Sequence, residues 1–147
     1  IGIQIRCGDF YMKTNAREKH TTGIYNGIEK YLINIKKQCD DQICKDYKIF
    51  ITSDADKAYE TSIKVWNKDI VLYNHDIIQH LDRVPINDDI SKVFIDSYIL
   101  SSCTSRLYIS LCSNYGRISA LSCSHNEIYN INGVKISKNN MLKTVVP

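Results

Sequence analysis

Ile1-Gly-Ile-Gln-Ile-Arg-Cys-Gly-Asp-Phe10 is the stretch whose reading decides the fold. Ile1, Ile3 and Ile5 are apolar and β-branched, the choice of a buried strand. The run breaks at Arg6-Cys7-Gly8-Asp9. Open α/β sheets bind ligands in the crevice beyond the carboxyl ends of their strands. Arg6 is expected to stand there, with a rigid fork of donors suited to phosphate or carboxylate. Gly8 permits a sharp turn, and Asp9 is a candidate to hold that turn or the arginine. A surface ion pair between Arg6 and Asp9 is the other reading of the same residues.

Outward from this strand, residues 11–20 are polar and read as a loop on the same side as Arg6. The spacing of Ile24, Ile28, Tyr31, Leu32 and Ile35 predicts a helix over 22–39, with Thr21 or Thr22 as N-cap and Asp40-Asp41 as its end. Residues 48–52 form a second buried strand, stopping at Ser53-Asp54. Asp54 is read both as the cap of a helix running to about Trp66 and as a ligand contact. A third strand covers 69–73, and 74–89 reads as a loop. A helix follows over about 90–103, with Val93, Phe94, Tyr98 and Leu100 as its apolar face and Asp96 exposed. A fourth strand covers 106–110. The small polar turn after it, with Ser113, Asn114, Tyr115 and Gly116, opens a helix to about Ser124. A fifth strand covers 127–131, and 132–147 is a tail without a firm pattern.

Strands alternating with helices imply parallel βαβ units. The expected fold is therefore α/β, a Rossmann-like parallel sheet with helices on both faces, in one domain over 1–131. Strand, small polar residues, then helix is also a ready anion site, because free N–H groups and the helix dipole point at the ligand. Ordinary capping by Ser113 is the other reading. No Gly-x-Gly-x-x-Gly or P-loop motif occurs, so neither a dinucleotide enzyme nor an NTPase is supported.

The totals set limits. The 147 residues are 44% apolar and 24% charged, which suits one folded domain. A net charge of +3, with scattered lysines, gives no argument for nucleic acid. No apolar run approaches the roughly 20 residues of a membrane span, and no signal peptide is visible. The compartment is left open. Because Ile1 already lies inside a strand-like run, the chain is expected to be a domain of a longer protein. The six cysteines contain no CxxC pair, so a zinc site is not expected. A Cys39–Cys44 disulfide is open if the protein is secretory.

Taken together, the three polar edges resemble the nucleotide-sugar half of GDP-fucose-dependent fucosyltransferases. That group includes the α1,2- and α1,6-fucosyltransferases, the bacterial nodulation fucosyltransferase and the protein O-fucosyltransferases. Its first motif, His-x-Arg-Arg-x-Asp after an apolar strand, resembles Gln4-Ile5-Arg6-Cys7-Gly8-Asp9. Its strand ending in Thr-Asp resembles Ile49-Phe-Ile-Thr-Ser53-Asp54. Its third block resembles Asp96 through Leu100, Leu107 through Ser110, and Cys112-Ser-Asn-Tyr-Gly-Arg117. The resemblance covers about residues 1–125, in order. Gln4, Cys7 and Cys112 stand where the family often has His, Arg and Ser.

The resemblance implies the carboxyl-terminal, donor-binding half of a GT-B glycosyltransferase, with an acceptor-binding domain before Ile1. It implies inverting transfer of fucose from GDP-fucose to a glycan or glycoprotein hydroxyl without a metal or other cofactor. Arg6 and Asp9 are then the catalytic candidates. Gln4, Arg6, Ser53, Asp54, Asp96, Ser113, Asn114 and Tyr115 are the donor-binding candidates, with Asp96 accepting guanine N1–H and its exocyclic amine. A nucleotide-sugar binding module without transfer, and an α/β interaction domain without a ligand, are the rival readings.

Overall fold

The computed structural model describes residues 1–7, 24–43, 46–75 and 91–143. Asp9, the loop over 11–20, the Thr21/Thr22 cap, Cys44 and most of the 74–89 loop lie outside the described residues. Among the described residues, five strands form the sheet: β1 (Gly2–Ile5), β2 (Ile49–Ser53), β3 (Val71–Tyr73), β4 (Leu107–Ile109) and β5 (Ile128–Asn130). Five helices among the described residues alternate with or follow them: α1 (Ile24–Gln42), α2 (Asp56–Val65), α3 (Ser91–Ser102), α4 (Asn114–Ser122) and α5 (Lys138–Lys143). All four strand pairings are parallel, in the order β3-β2-β1-β4-β5. The chain is thus a Rossmann-like α/β domain.

Every residue of β1 and β2 is buried, because helices cover both faces of the central strands. Alternation along each strand sorts the side chains between two cores. Ile3, Ile5, Ile49, Ile51, Val71 and Tyr108 pack on one face with Ile28, Leu32, Ile35 and Cys39 of α1 and Ala58 of α2. Phe50, Leu107, Ile109 and Ile128 pack on the other with Leu100 of α3, Ala120 of α4 and Met141 of α5. Among the described residues no helix is long and apolar enough to cross a membrane.

Three expectations change. Helix α1 continues through Asp40-Asp41 to Gln42. Asp40 is accommodated because it pairs with Lys36 one turn back and accepts from the Tyr47 hydroxyl at 2.5 Å. Helix α3 is turned relative to its expected face. Lys92, Asp96 and Leu100 are buried, whereas Phe94 and Tyr98 are 61% and 74% exposed. The stretch after β5 is patterned after all. Gly133, at φ +83°, turns the chain back, and Lys135 bridges Tyr129 antiparallel. Helix α5 then buries Met141 in the second core. One anchoring side chain on a short helix leaves no periodicity to read.

Candidate functional site

Strand β1 lies between β2 and β4, and the chain leaves it toward β2 and β3, returning by α3 to β4. The order therefore reverses between β1 and β4, where doubly wound sheets open a crevice at their carboxyl ends. Arg6 follows β1, and the Ser110–Ser113 turn follows β4. One bond ties these edges together: Arg6 N–H donates to Ser110 Oγ at 2.9 Å. The Arg6 charge is also felt at Cys112. Burial pushes that thiol up, and the nearby guanidinium is among the effects opposing it.

Asp54 supports Arg6 from the neighbouring strand. Its Oδ2 lies 3.2 Å from Arg6 Nη1, and its Oδ1 accepts Cys7 N–H at 2.6 Å. The helix-cap reading of Asp54 does not hold. Ala55 occupies the N-cap of α2, without a side-chain cap bond. Asp54 instead turns back across the sheet, where a cation and a backbone donor are both within reach. Ser53 Oγ accepts Ala55 N–H at 3.2 Å and lies 3.8 Å from Cys7 Sγ, so it shapes the turn. Cys7 is fully buried, and burial, with the Asp54 charge adding to it, pushes its thiol up to about 12. A thiol so displaced stays protonated near neutrality and is no nucleophile.

The β4–α4 turn is pinned from below. Gln4 is 4% exposed and its amide faces Ser110 and Ser113, so it supports the turn from beneath. Ser113 is the N-cap of α4, accepting Gly116 N–H at 3.2 Å. Ser113 N–H donates to Ser110 O at 2.9 Å, so the expected use of that amide for a ligand is corrected. The N–H groups of Asn114 and Tyr115 start the helix, where four donors lack intrahelical partners. The Asn114 side chain accepts from Arg117, and the Tyr115 hydroxyl donates to Val93 O at 3.1 Å, tying α4 to α3. Burial pushes the Tyr115 phenol well above its usual range, so it stays a donor.

Asp96 stands elsewhere than expected. It is 2% exposed, not solvated. Its Oδ2 accepts from Thr52 Oγ1 at 2.8 Å and pairs with Lys92 Nζ at 3.2 Å, and its Oδ1 accepts from Asn74 Nδ2 at 3.0 Å. The expected exposure of Asp96 is thus corrected: its carboxylate is buried, and both of its oxygens accept from protein donors. Sequence reasoning quoted Thr52 and Ser110 within motifs but gave them no role, and it missed Asn74 and Lys92. The i,i+4 spacing of Lys92 and Asp96 was a usable signal; the other contacts join distant segments.

Gly116 explains how closely α4 approaches the sheet. A Cβ there would meet Gln4 Oε1 at 2.4 Å and Ile109 Cβ at 3.3 Å. Gly116→Ala is expected to destabilise the fold by about 1–3 kcal/mol through overpacking. Urea unfolding measures it, and an unchanged midpoint would show that α4 can lift off without cost.

No protein-family model matches the chain, and no solved structure matches it either.

Proposed function

We propose that the chain is the donor-binding domain of an inverting, GT-B type fucosyltransferase that uses GDP-fucose. The observation supporting this reading is the meeting of Arg6 and the start of α4 at the carboxyl ends of β1 and β4, joined by the Arg6 N–H to Ser110 bond. A cation beside a helix N-terminus suits a diphosphate. As the bond from sugar to diphosphate stretches, charge grows on the β-phosphate. Arg6 then interacts more strongly with it, and such differential binding accelerates the reaction. Asp54 holds the guanidinium in place. The acceptor hydroxyl, held by an acceptor-binding domain, attacks the opposite face of the sugar; the new C1–O bond forms as the bond to the diphosphate breaks, GDP leaves, and the hydroxyl proton passes to a base of the acceptor-binding domain or to Asp9. Guanine in the donor is carried by the family resemblance alone.

Thermal melting with GDP is the primary test. Ligand stabilisation grows as RT ln(1 + [L]/Kd), so millimolar GDP is expected to raise the melting temperature. No shift would sink the donor-site reading and favour an interaction domain. Transfer is also expected to persist in excess EDTA. Asp54, the first carboxylate of the only Asp-x-Asp sequence, is already engaged with Arg6 and Cys7 N–H. Loss on chelation, restored by manganese, would point to metal-bound diphosphate instead.

Cys7 favours a second reading, a module that binds the nucleotide sugar without transferring it. The family's second arginine is replaced here by a buried neutral thiol, leaving less cationic stabilisation of the leaving group. GDP stabilisation without turnover, in a protein that includes the acceptor-binding part, would select it.

A further inference from the structure

Gln4 is buried beneath the turn from β4 to α4. A carboxamide has an oxygen end and a nitrogen end, and its partners tell them apart. Here a backbone donor decides. Ser110 N–H donates to the Gln4 main-chain O at 3.1 Å and also meets the Gln4 side chain at 3.2 Å; a backbone N–H only donates, so the side-chain atom it meets is Oε1. The nitrogen end then faces Ser113 Oγ, also at 3.2 Å. Gly116 N–H donates to the same oxygen at 3.2 Å. A serine hydroxyl has two lone pairs and one proton. Both lone pairs are taken by donors. The proton is left to donate, and no acceptor for it is found among the described residues. Ser113 is only 6% exposed, and a buried donor of that kind is normally satisfied.

We propose that Gln4 is a positioning residue that aims the Ser113 hydroxyl. By occupying one lone pair while Gly116 occupies the other, it leaves Ser113 only its proton to offer. An anionic oxygen at the start of α4 is the matching partner. The inference rests on the diphosphate reading of this turn and adds a residue acting through Ser113. It also accounts for glycine at 116, since the approach that brings its N–H to Ser113 leaves no space for a Cβ beside Gln4 Oε1.

The test is calorimetric titration with GDP across a double-mutant cycle of Gln4→Met and Ser113→Ala, with thermal melts as the folding control. Ser113→Ala is expected to weaken GDP about tenfold, the loss of one charge-assisted donor. Gln4→Met is expected to weaken it about threefold in the Ser113 background and hardly at all in the Ser113→Ala background. Equal losses in both backgrounds, or no loss in Gln4→Met, would overturn the aiming role while leaving the diphosphate reading intact. Tight GDP binding untouched by Ser113→Ala would overturn it equally. Wild type that does not bind GDP would overturn the diphosphate reading and the aiming role together. Gln4→Leu supplies the same cycle if Gln4→Met melts below the assay temperature.

Discussion

Arg6→Ala is expected to lower transfer by about 100- to 1,000-fold, the usual cost of removing one donor to a developing anion. GDP affinity should fall by about 10- to 100-fold, because a hydrogen bond to a charged group is lost. Arg6→Lys should recover little of either, since an ammonium lacks the planar fork that can serve Asp54 and a phosphate together. The fold should survive. Arg6 keeps 22% of its side chain in solvent, and Asp54 retains the Cys7 N–H bond. A fall of about 2–4 °C in melting temperature, matching roughly 1 kcal/mol in a chain of this size, is the expected control result. Full activity in Arg6→Ala would remove the arginine from the mechanism. A collapsed melt would mean that it acts in folding.

Asp96→Ala is expected to have the largest effect on stability, about 3–5 kcal/mol. The lysine it pairs with is buried too: the Lys92 and Asp96 side chains are 7% and 3% exposed. Removing the carboxylate strands the ammonium of Lys92, whose other partners among the described residues are Asn74 O, at 2.5 Å, and the Tyr73 ring, 5.1 Å away. Thr52 and Asn74 lose their acceptor as well. Replacing both charges, as Lys92→Met with Asp96→Leu, should recover much of the loss, because burying a charge pair is itself costly. Urea unfolding of the single and double variants measures this. The same variants decide the role of Asp96 in base choice. With the carboxylate turned to protein donors, the ratio of GDP to ADP affinity should hardly change in any folded variant. A ratio that collapses in the double variant would return Asp96 to the base.

Much of the sheet's carboxyl edge was legible in the sequence because it is local. Arg6 at the end of an isoleucine strand, and Ser113 before a helix, need only the chain next to them. Asp54 was placed at the right edge but with an incomplete role. A carboxylate before a helix commonly caps it, and nothing nearby in the sequence announces an arginine 48 positions earlier. For Asp96 the surrounding pattern misled. Phe94 and Tyr98 supplied helical spacing and drew the buried face toward themselves, whereas Thr52 and Asn74 had built a polar recess for the other side.

By itself the sequence determined the order and kind of the elements: five short, largely apolar strands, four of the helices between and after them, and hence a parallel layered sheet. Periods of two and of 3.6 residues are properties of neighbouring positions, and they survive whatever the distant chain does. Only the tertiary structure decided which polar groups meet. Cys7 and Asp54 are 47 positions apart, and Gln4 and Ser113 are 109 apart. Strand order and register bring them to one edge, and a hydrogen bond depends on that proximity, not on position along the chain.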